Sequence, residues 1–324
     1  MKAIICNALR GPRSLQYDDV EIPTVTKGSV LIDIKAASLN FPDILITQGK
    51  YQIKPDLPFT PGGEGAGLVS GIGEDVEGLN IGDRVIFMNP HGAFADYILV
   101  PRAAIMKIPK DMDFKSAAAL TLTYGTSYHA LKQRAQLQKG EAVAVLGAAG
   151  GVGLATIELA KAMGARVIAC ASTDEKLEVC KKYGADEVLN YTQEDLKEGL
   201  KKLAPKGVDV VFDPVGGEYS EKALRAMGSG GRHLVIGFAD GNIPKIPLNL
   251  TLLKQCQIVG VFWGAWAFNN PAQHIENMTE LFALFAMEKI APRVNDCFKL
   301  SEYKEAYACL VERRVMGKVV FELS

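Results

Sequence analysis

Between Val143 and Ala155 an apolar run, Val143-Ala144-Val145-Leu146, opens into Gly147-Ala148-Ala149-Gly150-Gly151-Val152-Gly153 and then into an amphipathic stretch. A strand that empties into backbone without side chains at the start of a helix can cradle a diphosphate. The helix N-terminus presents free N–H groups and a partial positive charge to it. Small residues at 147–149 permit the tight turn, Gly150 and Gly151 bring backbone to the pyrophosphate, and Gly153 allows close helix–strand packing. Only Gly150 and Gly153 follow the common GxGxxG form, because Ala148 stands at its first glycine. Glycine turns also occur without ligands, so the motif gains its weight from the elements around it.

About twenty residues further on, proteins that take NADH place an acid against the adenosine ribose. Here the second strand, Val167-Ile168-Ala169-Cys170, ends in Ala171-Ser172-Thr173 with no acid. Hydroxyls and Lys176 suit a 2′-phosphate, which points to NADPH. Ser172-x-x-Glu175 also reads as a capping box, with Asp174 and Glu175 in a first helical turn, and Lys176 also reads as a solvated charge.

These residues need elements to hold them. From Phe114 onward, strand candidates at 142–146, 167–170, 187–189, 208–212, 233–236 and 258–262 alternate with helical stretches at 154–163, 175–183, 193–203 and 218–227. Six strands separated by helices specify a parallel, doubly wound sheet. The first ~120 residues are instead short alternating strands punctuated by Gly and Pro, the pattern of a β domain. After a helix at 272–287, a short helix capped by Ser301 and a closing strand at 318–322 return to that β domain.

The bulk composition narrows the class. The 324 residues suit two domains, and a net charge of −1 lacks the basic excess of a protein built to grip duplex DNA or anionic lipid. No apolar run is long enough to cross a bilayer, and Met1–Cys6 reads as a strand rather than a signal peptide, so a cytoplasmic location is expected. The six cysteines include no CxxC pair and read as small buried apolar residues. His91, His129, His233 and His274 are scattered without ligand spacing and read as structural.

Several segments, in order, resemble the zinc-independent quinone oxidoreductase (ζ-crystallin-like) family of the medium-chain dehydrogenase/reductase superfamily. They are Ser38–Asp43, Gln48–Tyr51, Leu57–Gly62, Gly82–Val85, Gly147–Gly153, Asp213–Gly217 and Gly317–Val320. The resemblance implies an α/β fold, a GroES-like β domain (1–122 and 266–324) interrupted by a Rossmann doubly wound parallel-sheet domain (123–265). It implies NADPH contacts at Asn40, Phe41, Asp43 and Ile44, at Thr126, and at Gly150, Gly151 and Val152. Ser172, Lys176 and Tyr191 would surround the 2′-phosphate. Val215, Gly237, Phe238, Phe262, Trp263 and Gly264 would contribute from loops at later strand ends, and Lys318 from the closing strand. Tyr191 also reads as half-buried packing, and Phe262 and Trp263 as core or dimer-interface aromatics.

Zinc-dependent relatives take a cysteine and a histidine from the first domain and a further cysteine. Asn40, Gly63 and a residue near Tyr124 stand at those places here. The resemblance therefore implies hydride transfer from NADPH to a quinone or another conjugated carbonyl without a metal, by a homodimer. Asn40 and Tyr51 are the candidate donors to the oxygen that gains negative charge. Tyr51 also resembles the proton-donating tyrosine of enoyl-thioester reductases, which makes enone or enoyl-thioester reduction the alternative; Tyr51 as cleft packing stays open. A non-catalytic NADPH-binding role, crystallin-like or single-strand binding, is the alternative of another class, but no arginine-rich aromatic platform for nucleic acid is present.

Overall fold

The apolar run Ala142–Leu146, buried throughout, becomes a central strand of a six-stranded parallel sheet. From it the chain steps outward through Arg166–Ala171 to Glu187–Asn190. It then returns to the other side of the first strand and continues through Val208–Asp213, Met227–Val235 and Gln257–Gly260. The direction of winding therefore reverses between Ala142–Leu146 and Val208–Asp213, the topological switch point where open α/β sheets bind ligands. Strands hydrophobic on both faces, such as Val143–Val145 and Val210–Phe212, are what a parallel sheet covered by helices requires.

The structure is a computed structural model and describes residues 1–323. Two units partition the chain: Met1–Leu122 with Pro292–Ser324, and Thr123–Ala291. The first is organised on the long strand Ser29–Leu39, which pairs antiparallel with Glu64–Ile72, Tyr97–Pro101 and Lys318–Glu322. Its core gathers Ile4, Ile32, Ile34, Phe87, Phe94, Tyr307 and Phe321, with Phe94 edge-on to Phe321 at 4.9 Å between ring centroids. Strand Val294–Lys299, which the sequence did not signal, runs parallel to Lys318–Glu322. These observations establish the α/β architecture of a GroES-like unit and a Rossmann-type unit.

The second unit ends later than the sequence suggested. The expected return to the β domain at residue 266 is corrected to 292, because helix Pro271–Ala286 is tied to the Rossmann unit by side chains. Lys132 Nζ donates to Glu280 at 2.6 Å and Gln133 Nε2 to Asn277 at 3.0 Å, while the Ala291 N–H donates to Glu158 at 3.0 Å. Ser301 is not a cap either: residues 300–302 form a 3-10 turn and the helix proper is Tyr303–Val311.

Candidate active site

The glycine loop sits at the switch point. Gly147 has φ 57° and turns the chain out of its strand; a Cβ there would lie 2.9 Å from Val215, so this loop and the one after Val208–Asp213 are in touch. Helix Gly151–Ala162 starts behind Gly150, which provides no side-chain cap. Its first N–H groups lack intrahelical partners and face no side chain of their own loop. Gly153 is dictated by packing, since a Cβ would fall 2.5 Å from the Ala148 carbonyl oxygen. Bare loop, uncapped helix start and half-buried Gly150, Gly151 and Val152 fit a dinucleotide diphosphate. Thr126, half-buried, belongs to the same unit and stands on helix Phe114–His129.

The second loop is organised by Asp213. Its carboxylate accepts from the Val215 and Gly216 N–H groups, both at 2.9 Å, from Ser220 Oγ at 2.5 Å, and lies 3.1 Å from His233 Nε2. Burial pushes the Asp213 carboxyl up, but His233 and these donors outweigh it and hold it below the usual range. His233 is thus structural. This loop leaves Val215, and the loop after Met227–Val235 leaves Gly237 and Phe238, half-buried at the carboxyl ends of their strands.

At the end of Arg166–Ala171, Lys176 Nζ reaches Ser172 Oγ at 3.4 Å, and Thr192 Oγ1 donates to the Ser172 carbonyl at 3.0 Å. The helix cap is Thr173, whose hydroxyl accepts from the Lys176 N–H, so the capping reading of Ser172 is corrected and its hydroxyl is left for other work. Asp174 is engaged sideways by Asn190 at 2.7 Å and Gln193 at 3.2 Å, and these bonds hold its carboxyl low. Tyr191 lies against Tyr219, 4.7 Å between ring centroids. Ser172 and Lys176 are therefore in contact, and the Tyr191 N–H, donating to the Ala171 carbonyl at 3.2 Å, places Tyr191 beside the same strand end.

The aromatic pair divides. Trp263 is buried in the second unit, its ring filling the space where Gly125 has no side chain; a Cβ on Gly125 would fall 2.4 Å from it. The reading of Trp263 as a core aromatic prevails over direct ligand contact. Phe262 is half exposed, and Gly264 has open space around its Cα.

In the first unit the sequence-derived residues form a buried polar knot. Asn40 Nδ2 donates to the Ser38 carbonyl at 3.1 Å and to Glu64 Oε1 at 2.8 Å, and Asn40 Oδ1 accepts from Lys318 Nζ. Lys318 Nζ also donates to Glu64 Oε1 at 3.1 Å, and Glu64 Oε2 accepts from the Leu122 N–H at 2.7 Å. Glu64 is fully buried and Lys318 nearly so. Both amide hydrogens of Asn40 are thus committed within the protein, which corrects its reading as a donor to substrate. Asp43 points inward, accepting from the Asn40 N–H at 2.7 Å, and Ile44 lies in the core; neither faces a ligand directly. Phe41, by contrast, is exposed. Burial pushes the Asp43 carboxyl up to about 7 against the opposing pull of the Asn40 N–H and Lys318.

Tyr51 is half-buried against this core, and among the described residues its hydroxyl has no hydrogen-bond partner. Burial and the Asp43 carboxylate raise its pKa, so it remains a protonated donor. Glu64 was missed by sequence reasoning. Its signal was present: a lone charge in Gly62-Gly63-Glu64-Gly65-Ala66-Gly67, a strand with no room for an unpaired carboxylate. Among the described residues no group of three or more His, Cys, Asp and Glu side chains is placed to hold a metal ion.

Known proteins carry the same architecture. Residues 26–110 match the family model "Alcohol dehydrogenase GroES-like domain" and residues 151–283 match "Zinc-binding dehydrogenase". The quinone oxidoreductase-like protein 2 homolog of Nematostella vectensis is 37% identical over 98% of this chain and 88% of its own. The chain belongs to the quinone oxidoreductase family of the medium-chain dehydrogenase/reductase superfamily. The Homo sapiens quinone oxidoreductase is 34% identical over 81% of this chain and 80% of its own. The Escherichia coli quinone oxidoreductase, solved in complex with NADPH, superposes with a TM-score of 0.94 at 28% identity, covering 100% of both chains. Membership in the quinone oxidoreductase family makes the chain an oxidoreductase of the medium-chain dehydrogenase/reductase type, with the bare Gly147–Gly153 loop in its Rossmann-type unit.

Proposed function

We propose that the chain is an NADPH-dependent reductase of quinones or other conjugated carbonyls, working without zinc as a homodimer. The observation that carries this reading is the pairing of a bare, uncapped diphosphate loop with Ser172 and Lys176 at the end of the second strand, where no acid stands. The Escherichia coli relative, solved with NADPH, supports the same cofactor.

Backbone N–H groups of Gly150, Gly151 and Val152 would take the diphosphate, and Ser172, Lys176 and Tyr191 the 2′-phosphate. Thr126, Val215, Gly237, Phe238, Phe262 and Gly264 are the remaining proposed contacts of the Rossmann unit, and Phe41 the exposed one of the GroES-like unit. Bound NADPH supplies the hydride. Tyr51 donates a hydrogen bond to the acceptor oxygen as it gains negative charge, and burial, with the Asp43 carboxylate second to it, keeps that hydroxyl protonated. Asn40 and Lys318, locked by Glu64, present no loose donor; they hold a fixed polar floor under helix Phe41–Thr47.

The test is NADPH and NADH oxidation against a panel of a quinone, an alkenal and an enoyl thioester, with Tyr51→Phe beside the natural chain. NADPH should be preferred, and kcat/KM of the variant should fall about 100-fold with its KM for NADPH unchanged. Absence of nucleotide oxidation with every acceptor, on folded protein, sinks the reading.

A further inference from the structure

Two surface segments of the GroES-like unit, residues 9–13 and 48–54, are held side by side. The Gly11 N–H donates to the Thr47 carbonyl at 3.0 Å, and a Cβ on Gly49 would fall 3.0 Å from Leu9. Together they carry Arg10, Arg13, Lys50 and Lys54, all exposed, and no acid. Among the described residues none of these four side chains makes an ion pair or hydrogen bond. The whole chain has a net charge of −1, so this is a local excess rather than the general character of the surface. Leu9 and Ile53 stand exposed on these segments and Tyr51 lies within the second, while just beyond it come the exposed Asp56 and Leu57.

We propose that this rim selects the acceptor, and that the acceptor is a conjugated acyl thioester whose carrier bears phosphate. This rests on the reading of Tyr51 as the donor to the acceptor oxygen. An apolar, conjugated body fits beside Leu9, Ile53 and Leu57, while four unpaired cations gain nothing from a neutral quinone and much from a phosphorylated tail. The nucleotide's own phosphates are already provided for by the Gly147–Gly153 loop and by Ser172 and Lys176. In the reaction the α,β double bond of the thioester is reduced. Its β-carbon gains the hydride, the electron pair of the lost π bond takes a proton from solvent at the α-carbon, and NADPH, giving up two electrons with the hydride, becomes NADP⁺. The thioester bond stays intact.

The experiment compares crotonyl-CoA with crotonyl-pantetheine, which share the reacting end but not the phosphates. We expect kcat/KM to favour crotonyl-CoA by about tenfold or more at low salt, and the preference to shrink toward unity near 0.5 M salt on the order of a few Å of screening length. Arg10→Glu/Lys54→Glu should abolish the preference while leaving crotonyl-pantetheine within about twofold, and Arg10→Gln/Lys54→Gln should fall between. Titration with butyryl-CoA reads the same rim without turnover, and the charge-reversed variant should bind it about tenfold more weakly. Equal rates with the two thioesters, or a preference that survives charge reversal, overturns the proposal. So does loss of binding to phosphatidylserine vesicles in the variant with the preference intact, since the rim then faces a lipid surface. If the quinone is reduced and neither thioester is, this inference fails and the reductase reading stands. If nothing is reduced, the reductase reading fails and this inference fails with it, whatever butyryl-CoA binding shows.

Discussion

At the scale of single residues, the decisive group is the one that no motif announced. Glu64 and Lys318 form a buried ion pair at 3.1 Å, bridged by Asn40 and completed by the Leu122 N–H. A buried pair is costly to break because the surviving charge is left in a poor solvent, whereas removing both charges together can be nearly neutral. Lys318→Met alone is therefore expected to destabilise the chain by about 3–5 kcal/mol, and Glu64→Gln/Lys318→Met to recover a substantial part of that loss. Denaturant titration of the two single variants and the double checks it; additive losses would remove the pair from the account of this fold. The knot also marks the limit of sequence reading. Asn40, Asp43 and Lys318 were legible as a group because their segments resemble a family, yet their orientation was not. Which amide hydrogen is already spent depends on Ser38 and Glu64, and that is set by the register of three strands far apart in sequence.

At the scale of elements, the sequence was most informative where one period and one turn chemistry agree. Ala142–Leu146, the glycine loop and helix Gly151–Ala162 were legible because small residues there leave the backbone few alternatives. It was least informative at ends, where two hydroxyls compete: Thr173 rather than Ser172 caps Asp174–Lys182, because it is the Thr173 hydroxyl that accepts from the Lys176 N–H. The nucleotide helix carries one consequence for stability. Glu158, on its inner side, accepts from the Ala291 N–H and pairs with the Tyr124 hydroxyl, joining helices Gly151–Ala162 and Phe114–His129 to the last residue of the unit. Burial pushes its carboxyl up to about 7, with the Tyr124 and Ala291 bonds pulling the other way. A folded-state value above the unfolded one means that the folded chain binds the extra proton. The associated stability is complete below the unfolded carboxyl range and is lost as pH rises through about 7. Glu158→Gln keeps an acceptor for Ala291 and a polar partner for Tyr124 but cannot ionise. Relative to the natural chain its stability should therefore rise between pH 5 and 8, by up to about 3 kcal/mol. Thermal melts of both proteins across that range decide it; parallel curves would mean that Glu158 titrates normally.

At the scale of the whole molecule, the Rossmann sheet ends in a strand that has a partner on one side only. Gln257–Gly260 pairs with Met227–Val235, and its outer edge is open. Natural sheets guard such an edge with lysine, proline, a bulge or a covering element, because unpaired N–H and C=O groups template association. The strand Gln257-Ile258-Val259-Gly260 carries no charge and no proline. The same unit also exposes large apolar side chains that a lone subunit does not need: Ile243, Leu248, Leu252, Leu253 and Phe268 are each more than 70% exposed. A second copy, related by a two-fold axis, satisfies both needs at once, because an edge strand can pair with its own image and bring the same apolar residues together. An open edge and exposed apolar side chains thus support the proposed homodimer beside the family resemblance. Ile258→Lys/Leu252→Glu places charges on that edge and at one of those apolar positions without touching the glycine loop, Tyr51 or the polar knot. Sedimentation equilibrium should give half the apparent mass of the natural chain for this variant, with an unchanged far-ultraviolet spectrum reporting an intact fold. If the natural chain already sediments as a monomer, or if the variant keeps the full mass, the open strand edge is not where two copies meet.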